Sequence, residues 1–355
     1  MHLAIDVREA CRAHRTGKGQ WTFGFVSQLL TRDLRLTLLS DASPPASWDA
    51  RKFSLKKIDR RGLRWHLAAA SALHSLENLD AYVSPTSFLV PSLLGRSVPC
   101  IPIVHDLIAF RGEPHDCKAT IIERLTLGRS VRSASVVCTI SESTKADLLA
   151  RYPLLPKDRI RPIFAGPMHA TVPPRNTDSK TILCIATLSP RKNQLRLIQA
   201  YAQLPDTLRT RYRLVLAGGR GWRDDPILRL ARQTPGVVWH GYASPSDYDA
   251  LLSSCTVFAI PSLYEGFGMQ ILDALQRGIP VLTSHVGSIP EVCGEAAQYV
   301  DPLNVSSIAL GLEELLENAG LRDELSKQGP KRAALFSWKR TVDLFLDELS
   351  LLRND

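Results

Sequence analysis

Nothing in the 355-residue chain approaches the roughly 18 uninterrupted apolar residues that a membrane-spanning helix needs. The opening Met-His-Leu-Ala-Ile-Asp-Val reads as a first strand and not as a secretion signal, so a cytoplasmic protein is expected. Seven cysteines, at 11, 100, 117, 138, 184, 255 and 293, are scattered, odd in number and never spaced Cys-x-x-Cys. That pattern argues against a disulfide framework and against a zinc site, and no metal is expected. Glycines at 17, 19 and 24 follow the first strand, but their spacing is wrong for the Gly-x-Gly-x-x-Gly fingerprint, which disfavours a nicotinamide cofactor. No internal repeat or low-complexity tract is visible.

Acidic residues are the minority charge, 35 against 44 Lys and Arg, for a net charge of +9. Residues 1–64 alone hold 13 basic and 6 acidic side chains. A localised basic face attracts anions: a phospholipid surface, a diphosphate-bearing substrate or a nucleic acid. Nucleic acid is disfavoured, because the stretch lacks the interleaved aromatics of a stacking platform. A solvated surface without a partner is the plain alternative; the sharper one is peripheral contact with anionic lipid at the inner face of the cytoplasmic membrane.

What the chain does have is alternation. Strand-like runs such as His2–Val7, Ala81–Ser84, Cys100–His105, Thr181–Ala186 and Thr256–Ile260 are separated by helical periodicity, as at Trp21–Leu30, Leu63–Leu79 and Leu195–Leu204. Such alternation implies βαβ crossovers, and the length suits two cores. The expected fold is α/β, two doubly wound Rossmann-like domains whose parallel sheets face each other across a cleft. Residues 1–166 would form the first domain, 167–180 a linker, 181–336 the second, and 337–355 a helix packing back onto the first. Ligands are expected at the carboxyl ends of the strands.

The most informative segment is Pro-Ser-Leu-Tyr-Glu-Gly-Phe-Gly-Met-Gln-Ile-Leu-Asp-Ala-Leu-Gln, residues 261–276. It joins an apolar strand to a periodic helix, so Gly266, Phe267, Gly268 and Met269 fall on a strand-to-helix turn. There, backbone N–H groups and the helix dipole favour phosphate. Glu265 and Asp273 bracket the turn with seven residues between them. A glycine loop with two solvated acids is the plain alternative. The joint presence of both acids and the downstream Gly278-Ile279-Pro280-Val281 favours a ligand site.

Thr187-Leu188-Ser189-Pro190-Arg191-Lys192-Asn193 follows the first strand of the second domain, where Arg191 and Lys192 could neutralise a diphosphate in place of a divalent metal. Solvated cations with Asn193 as a helix cap are the competing reading. His105 ends a strand at the expected cleft rim, where an imidazole could donate to a sugar hydroxyl. The glycine loop at Gly17 and Gly19 is expected to approach phosphate. Asp247-Tyr248-Asp249 reads as first-turn helix acids and not as a metal pair, and the backbone at Tyr242 is placed near a nucleobase.

In this order the blocks "IDVREA", "IVHDLIAF", "TISESTKADLL", "ATLSPRKN", "LVLAGG", "VVWHGY", "IPSLYEGFGMQILDALQRGIPVLTSHVGSIPEV", "AAQYVDP" and "FSWKRT" resemble the retaining GT-B glycosyltransferases of family four. The resemblance spans nearly the whole chain. It implies a metal-independent hexosyltransferase without a cofactor, moving a sugar from a nucleotide diphosphate donor to a hydroxyl of a glycan or lipid-linked acceptor. By resemblance Glu265 contacts donor-sugar hydroxyls, the backbone of Gly266–Met269 the sugar and phosphates, and Asp273 the ribose. The family's second acid is a glutamate, one methylene longer than Asp273. Thr187 also stands where many members have Arg, which shifts the cationic role toward Arg191. The Pro-Arg-Lys-Asn variant resembles members that use GDP-mannose. Alternatives in other classes are a non-catalytic nucleotide-sugar-binding assembly subunit and an epimerase or phosphorylase on the same architecture.

Overall fold

The structure, a computed structural model, describes residues 1–111, 117–169, 172 and 179–352. The chain divides into two compact units, Met1–Met168 with Ser337–Asp355, and His169–Phe336.

The first unit contains β1 (His2–Asp6), α1 (Gly17–Leu29), β2 (Arg35–Ser40), β3 (Ser54–Lys57), α2 (Leu63–His74), β4 (Ala81–Ser84), α3 (Leu89–Leu94), β5 (Cys100–Val104), α4 (Cys117–Ser133), β6 (Val137–Thr139), α5 (Glu142–Arg151) and β7 (Ile160–Pro162). Its strands are parallel, in the order β3-β2-β1-β4-β5-β6-β7. Strands β1, β4, β5 and β6 are buried along their whole length, as parallel strands covered on both faces must be.

The second unit runs through β8 (Thr181–Ile185), α6 (Gln194–Gln203), α7 (Asp206–Arg211), β9 (Arg213–Ala217), α8 (Asp225–Gln233), β10 (Val237–Gly241), α9 (Pro245–Ser253), β11 (Val257–Ile260), α10 (Met269–Gln276), β12 (Val281–Ser284), α11 (Ile289–Cys293), β13 (Gln298–Val300), α12 (Val305–Glu317) and α13 (Ala319–Ala333). Its six strands are also parallel, in the order β10-β9-β8-β11-β12-β13. Both sheets are doubly wound, so the α/β class expected from the alternation is the class observed.

The last helix, α14 (Trp338–Leu352), belongs to the first unit and lies on α1. Trp338 meets Trp21 edge-on with centroids 5.9 Å apart, Phe345 meets Phe25 at 5.0 Å, and Arg32 pairs with Asp343. Gly24 makes this approach possible, since a Cβ there would stand 2.1 Å from Cε2 of Trp338. Phe345 and Val342 are fully buried, each contributing roughly 1.5–3 kcal/mol.

Several elements differ from the sequence-based expectations. Helix α1 starts at Gly17, one turn before Trp21, because Thr16 caps it by accepting the Gly19 N–H at 3.3 Å. Helix α2 stops at His74, well short of Leu79, and Asn78 adopts a left-handed φ of 53°. Strand β3 shows no alternation in the sequence, because its four residues are all exposed at the sheet edge. Strands β7 and β13 are three residues each, too short to display a period. Of the expected linker 167–180, residues 170, 171 and 173–178 lie outside the described residues, as do residues 112–116.

Candidate active site

In the second unit the strand order reverses between β8 and β11. At such a switch point the loops leaving the carboxyl ends part to opposite sides, and ligands bind there. The loop after β8 carries a short 3₁₀ turn at Pro190–Lys192, closed by Asn193 in the left-handed region with φ 60°. The loop after β11 carries Ser262 to Gly268. Backbone and amide bonds tie the two loops together. Leu263 N–H donates to the Arg191 carbonyl at 2.8 Å, and Nδ2 of Asn193 donates to the carbonyls of Pro261 at 2.9 Å and Pro302 at 2.7 Å. Asn193 is therefore not a side-chain helix cap; its amide fixes the register of the loops.

This splicing brings Arg191, Lys192 and Glu265 together across 73 and 74 positions of sequence. Nζ of Lys192 donates to Oε1 of Glu265 at 2.6 Å, a guanidinium N–H of Arg191 donates to Oε2 at 3.0 Å, and the Ser262 hydroxyl donates to Oε1 at 2.6 Å. The same Arg191 nitrogen donates to the Tyr264 carbonyl at 2.7 Å. Lys192 and Glu265 are buried, with 9% and 4% of their surface exposed. Burial lowers the Lys192 ammonium from its usual range, against the pull of Glu265. For Glu265 burial alone would raise the carboxyl, but Lys192, Arg191 and the bond from Ser262 outweigh it and hold it below the usual carboxylate range. The cluster is thus an ionised, desolvated set whose charges are held in place before any ligand arrives.

Beside it, α10 begins at Gly268, whose φ of 93° only glycine adopts without strain. The N–H groups of Gly268, Met269 and Gln270 have no acceptor among the described residues, as expected at a helix start without a side-chain cap. Phe267 is buried edge-on against Phe336 at 5.6 Å, and Met269 is also buried. Gly287 packs under the turn; a Cβ there would lie 2.6 Å from the Glu265 carbonyl, which also accepts from the Ser288 hydroxyl at 3.0 Å. Gly266 completes the turn between Glu265 and Phe267.

Asp273 occupies a different setting from the one its spacing implied. It is fully buried, and its carboxylate accepts from the Tyr248 hydroxyl at 2.7 Å. Its other carboxylate oxygen takes no part in that bond, so the Tyr248 contact orients the side chain and leaves further acceptor sites on the carboxylate. The neighbouring Asp249 pairs with the buried Arg277 and with Nδ1 of His169 at 3.2 Å, while the His169 ring stacks on Tyr248 at 5.2 Å. Asp247 completes a capping box with Ser244, in line with the first-turn reading. Tyr242, which follows β10, is 46% exposed. Among the described residues no group of three or more His, Cys, Asp or Glu is placed to hold a metal ion. Tyr248 and Ser262 were missed by sequence reasoning. Ser262 lies three residues before Glu265 and could have been found; Tyr248 could not, since its partner is 25 positions away.

The remaining expected residues lie in the first unit, each with a structural duty. His105 is 5% exposed, its Nε2 donates to the Pro85 carbonyl at 2.7 Å, and its ring meets Trp21 edge-on at 5.2 Å. Burial, reinforced by Lys18, pushes its pKa down to about 3, so the ring is neutral near pH 7. With Nε2–H bonded to the Pro85 carbonyl and the ring neutral, Nδ1 is an acceptor. Gly17 and Gly19 lie in the first turn of α1, after its cap Thr16. Gly19 is needed because a Cβ there would stand 2.7 Å from the Glu9 carbonyl.

Two doubly wound parallel-sheet units, one with a charged cluster at its switch point, define the architecture of the GT-B glycosyltransferases. Over its full length the chain superimposes on all of the sucrose-phosphate synthase chain from Thermosynechococcus elongatus with a TM-score of 0.80, at 17% identity. Residues 169–332 match the family model for glycosyl transferases group 1. An O-antigen chain mannosyltransferase B from Escherichia coli is 30% identical over 282 residues, 75% of this chain and 73% of that protein. The serotype-specific mannosyltransferase WbdA of Escherichia coli is 34% identical over 180 residues, 48% of this chain but 22% of that protein. The chain belongs to the glycosyl transferases group 1 family.

Proposed function

We propose that the chain transfers mannose from GDP-mannose to a hydroxyl of a glycan or lipid-linked acceptor, with retained anomeric configuration and without a divalent metal. The observation that carries this reading is the Arg191–Lys192–Glu265 cluster at the switch point of the second unit, beside the N–H groups that open α10. As the bond from the sugar's anomeric carbon to the diphosphate breaks, negative charge gathers on the leaving phosphate. Arg191, Lys192 and the α10 N-terminus are the groups suited to offset it. Glu265, already ionised, would accept hydrogen bonds from sugar hydroxyls and so orient the anomeric carbon. The choice of mannose draws on the Escherichia coli mannosyltransferase relative and on the Pro-Arg-Lys-Asn sequence. Retention draws on the family resemblance. Titration calorimetry with GDP, UDP and ADP tests the donor: GDP should bind most tightly, and tight binding of UDP alone would remove the mannose assignment.

A membrane contact for the first unit is supported by one largely exposed stretch of sequence, residues 55–67. Lys56, Lys57, Arg60, Arg61 and Arg64 are exposed beside exposed Leu55, Leu63 and Leu67, and the two leucines of α2 are one helical turn apart. Basic side chains around apolar ones suit anionic lipid. Co-sedimentation with phosphatidylglycerol vesicles should fall steeply with salt and with Arg60→Gln/Arg61→Gln; no binding at low salt would refute it.

A further inference from the structure

We propose that the second unit carries another anion site, at the amino ends of its strands, which takes a phosphate-bearing ligand. A cavity of about 580 Å³ opens there, lined by Ser179, Lys180, Arg209, Arg211, Tyr212 and Arg213 among others. Its size is that of a small-ligand pocket. No acidic residue is on its described wall. Arg209 is paired with Asp206, but Lys180, Arg211 and Arg213 have no carboxylate partner among the described residues.

The fold itself forces these cations together. Lys180 and Arg213 stand at the starts of the adjacent strands β8 and β9, joined by the bond from the Arg213 N–H to the Lys180 carbonyl at 3.1 Å. Arg211 is two residues earlier, at the end of α7. Its guanidinium and the Lys180 ammonium lie 5.4 and 5.9 Å from the ring centroid of the buried Tyr212. Lys180, Arg211 and Arg213 thus line one cavity with no carboxylate partner among the described residues, and a multiply charged anion there would be attracted by all three. Planar guanidinium groups favour phosphate oxygens, which they can engage in pairs. Arg191, Lys192 and Glu265 lie at the opposite, carboxyl ends of the same sheet, so this site is separate from the proposed donor site and does not rest on that reading.

The test is calorimetric titration of tripolyphosphate into protein whose donor site is first filled with saturating GDP, using wild type and Arg211→Gln/Arg213→Gln. Both residues are exposed, so the variant should keep the wild-type melting temperature and the wild-type affinity for GDP. Wild type should bind tripolyphosphate, and the variant at least ~10-fold more weakly. A parallel arm with phosphatidylglycerol vesicles distinguishes a lipid headgroup from a soluble phosphate: dependence on Arg211 and Arg213 in either arm supports the site and identifies its source. Binding that is absent in both arms, or indifferent to the two substitutions, overturns it. If GDP does not bind at all, the same titration without GDP still decides the question.

Discussion

The two units share a strand order and differ at the same topological point. In the first, the order reverses between β1 and β4, and the charged side chain there, Asp6, is buried in a two-bonded pair with Arg8 at 3.0 and 2.8 Å. The Arg8 guanidinium lies 3.4 Å from the ring centroid of Trp65, so the pair is part of the packing. In the second, the buried acid Glu265 is also paired, but its cations adjoin a helix start whose N–H groups have no acceptor among the described residues. One pair closes a core; the other borders backbone donors that have no acceptor among the described residues. Topology provides the place in both units, and only the loops decide whether chemistry occurs there.

That contrast can be broken by substitution. The largest effect on activity should come from Lys192→Ala, which removes a charge next to the leaving phosphate of the proposed reaction and should lower turnover of GDP-mannose at least ~10-fold at saturating donor. Unchanged turnover would mean that Lys192 is merely structural, like Arg8. Glu265→Ala should cost about 3–5 kcal/mol of stability, because it leaves two partly buried cations without their acid. Chemical denaturation measures this, and a loss below ~1 kcal/mol would show that the cluster is solvated. Gly24→Ala in the first unit should cost about 1–3 kcal/mol through its clash with Trp338, without changing affinity for GDP. Tyr248→Phe should cost a similar or smaller amount, about 1–3 kcal/mol, by removing a hydrogen bond to the buried Asp273 carboxylate.

The smallest effect concerns pH. His105 titrates at about 3 in the folded protein and His66 at about 4, both below the ordinary 6.5 because burial disfavours their charged forms. The unfolded chain therefore binds protons first as pH falls. Each residue subtracts stability progressively from about pH 6.5 down to its folded value, and nothing is lost above pH 6.5. Stability of His105→Asn should decline less steeply than that of wild type over this window. Parallel curves would show that His105 is accessible and not held neutral.

How much of this could be read beforehand depended on range. Strand-to-helix alternation and the Glu265–Met269 turn were legible, because both are written in neighbouring residues: apolar runs, and glycines at a helix start. Arg191 and Lys192 were legible as cations after a strand, but their pairing with Glu265 was not, since it is created by the adjacency of β8 and β11. The burial of Asp273 and its bond from Tyr248 were not legible for the same reason, since Tyr248 is on another helix. For Gly17 and Gly19 the helix start was legible in the glycines, but the close approach of Gly19 to the Glu9 carbonyl was not, since it depends on how the turn folds back. The edge strand β3 was hidden because exposure on both faces removes the period by which strands are recognised.

The account rests on the second unit's cluster being a diphosphate site, and GDP titration of wild type, Arg191→Gln and Lys192→Gln by calorimetry tests it most directly. Both substitutions should weaken GDP by at least ~10-fold while Arg8→Gln leaves it unchanged. Equal GDP affinity in all four proteins, or none in wild type, would contradict it.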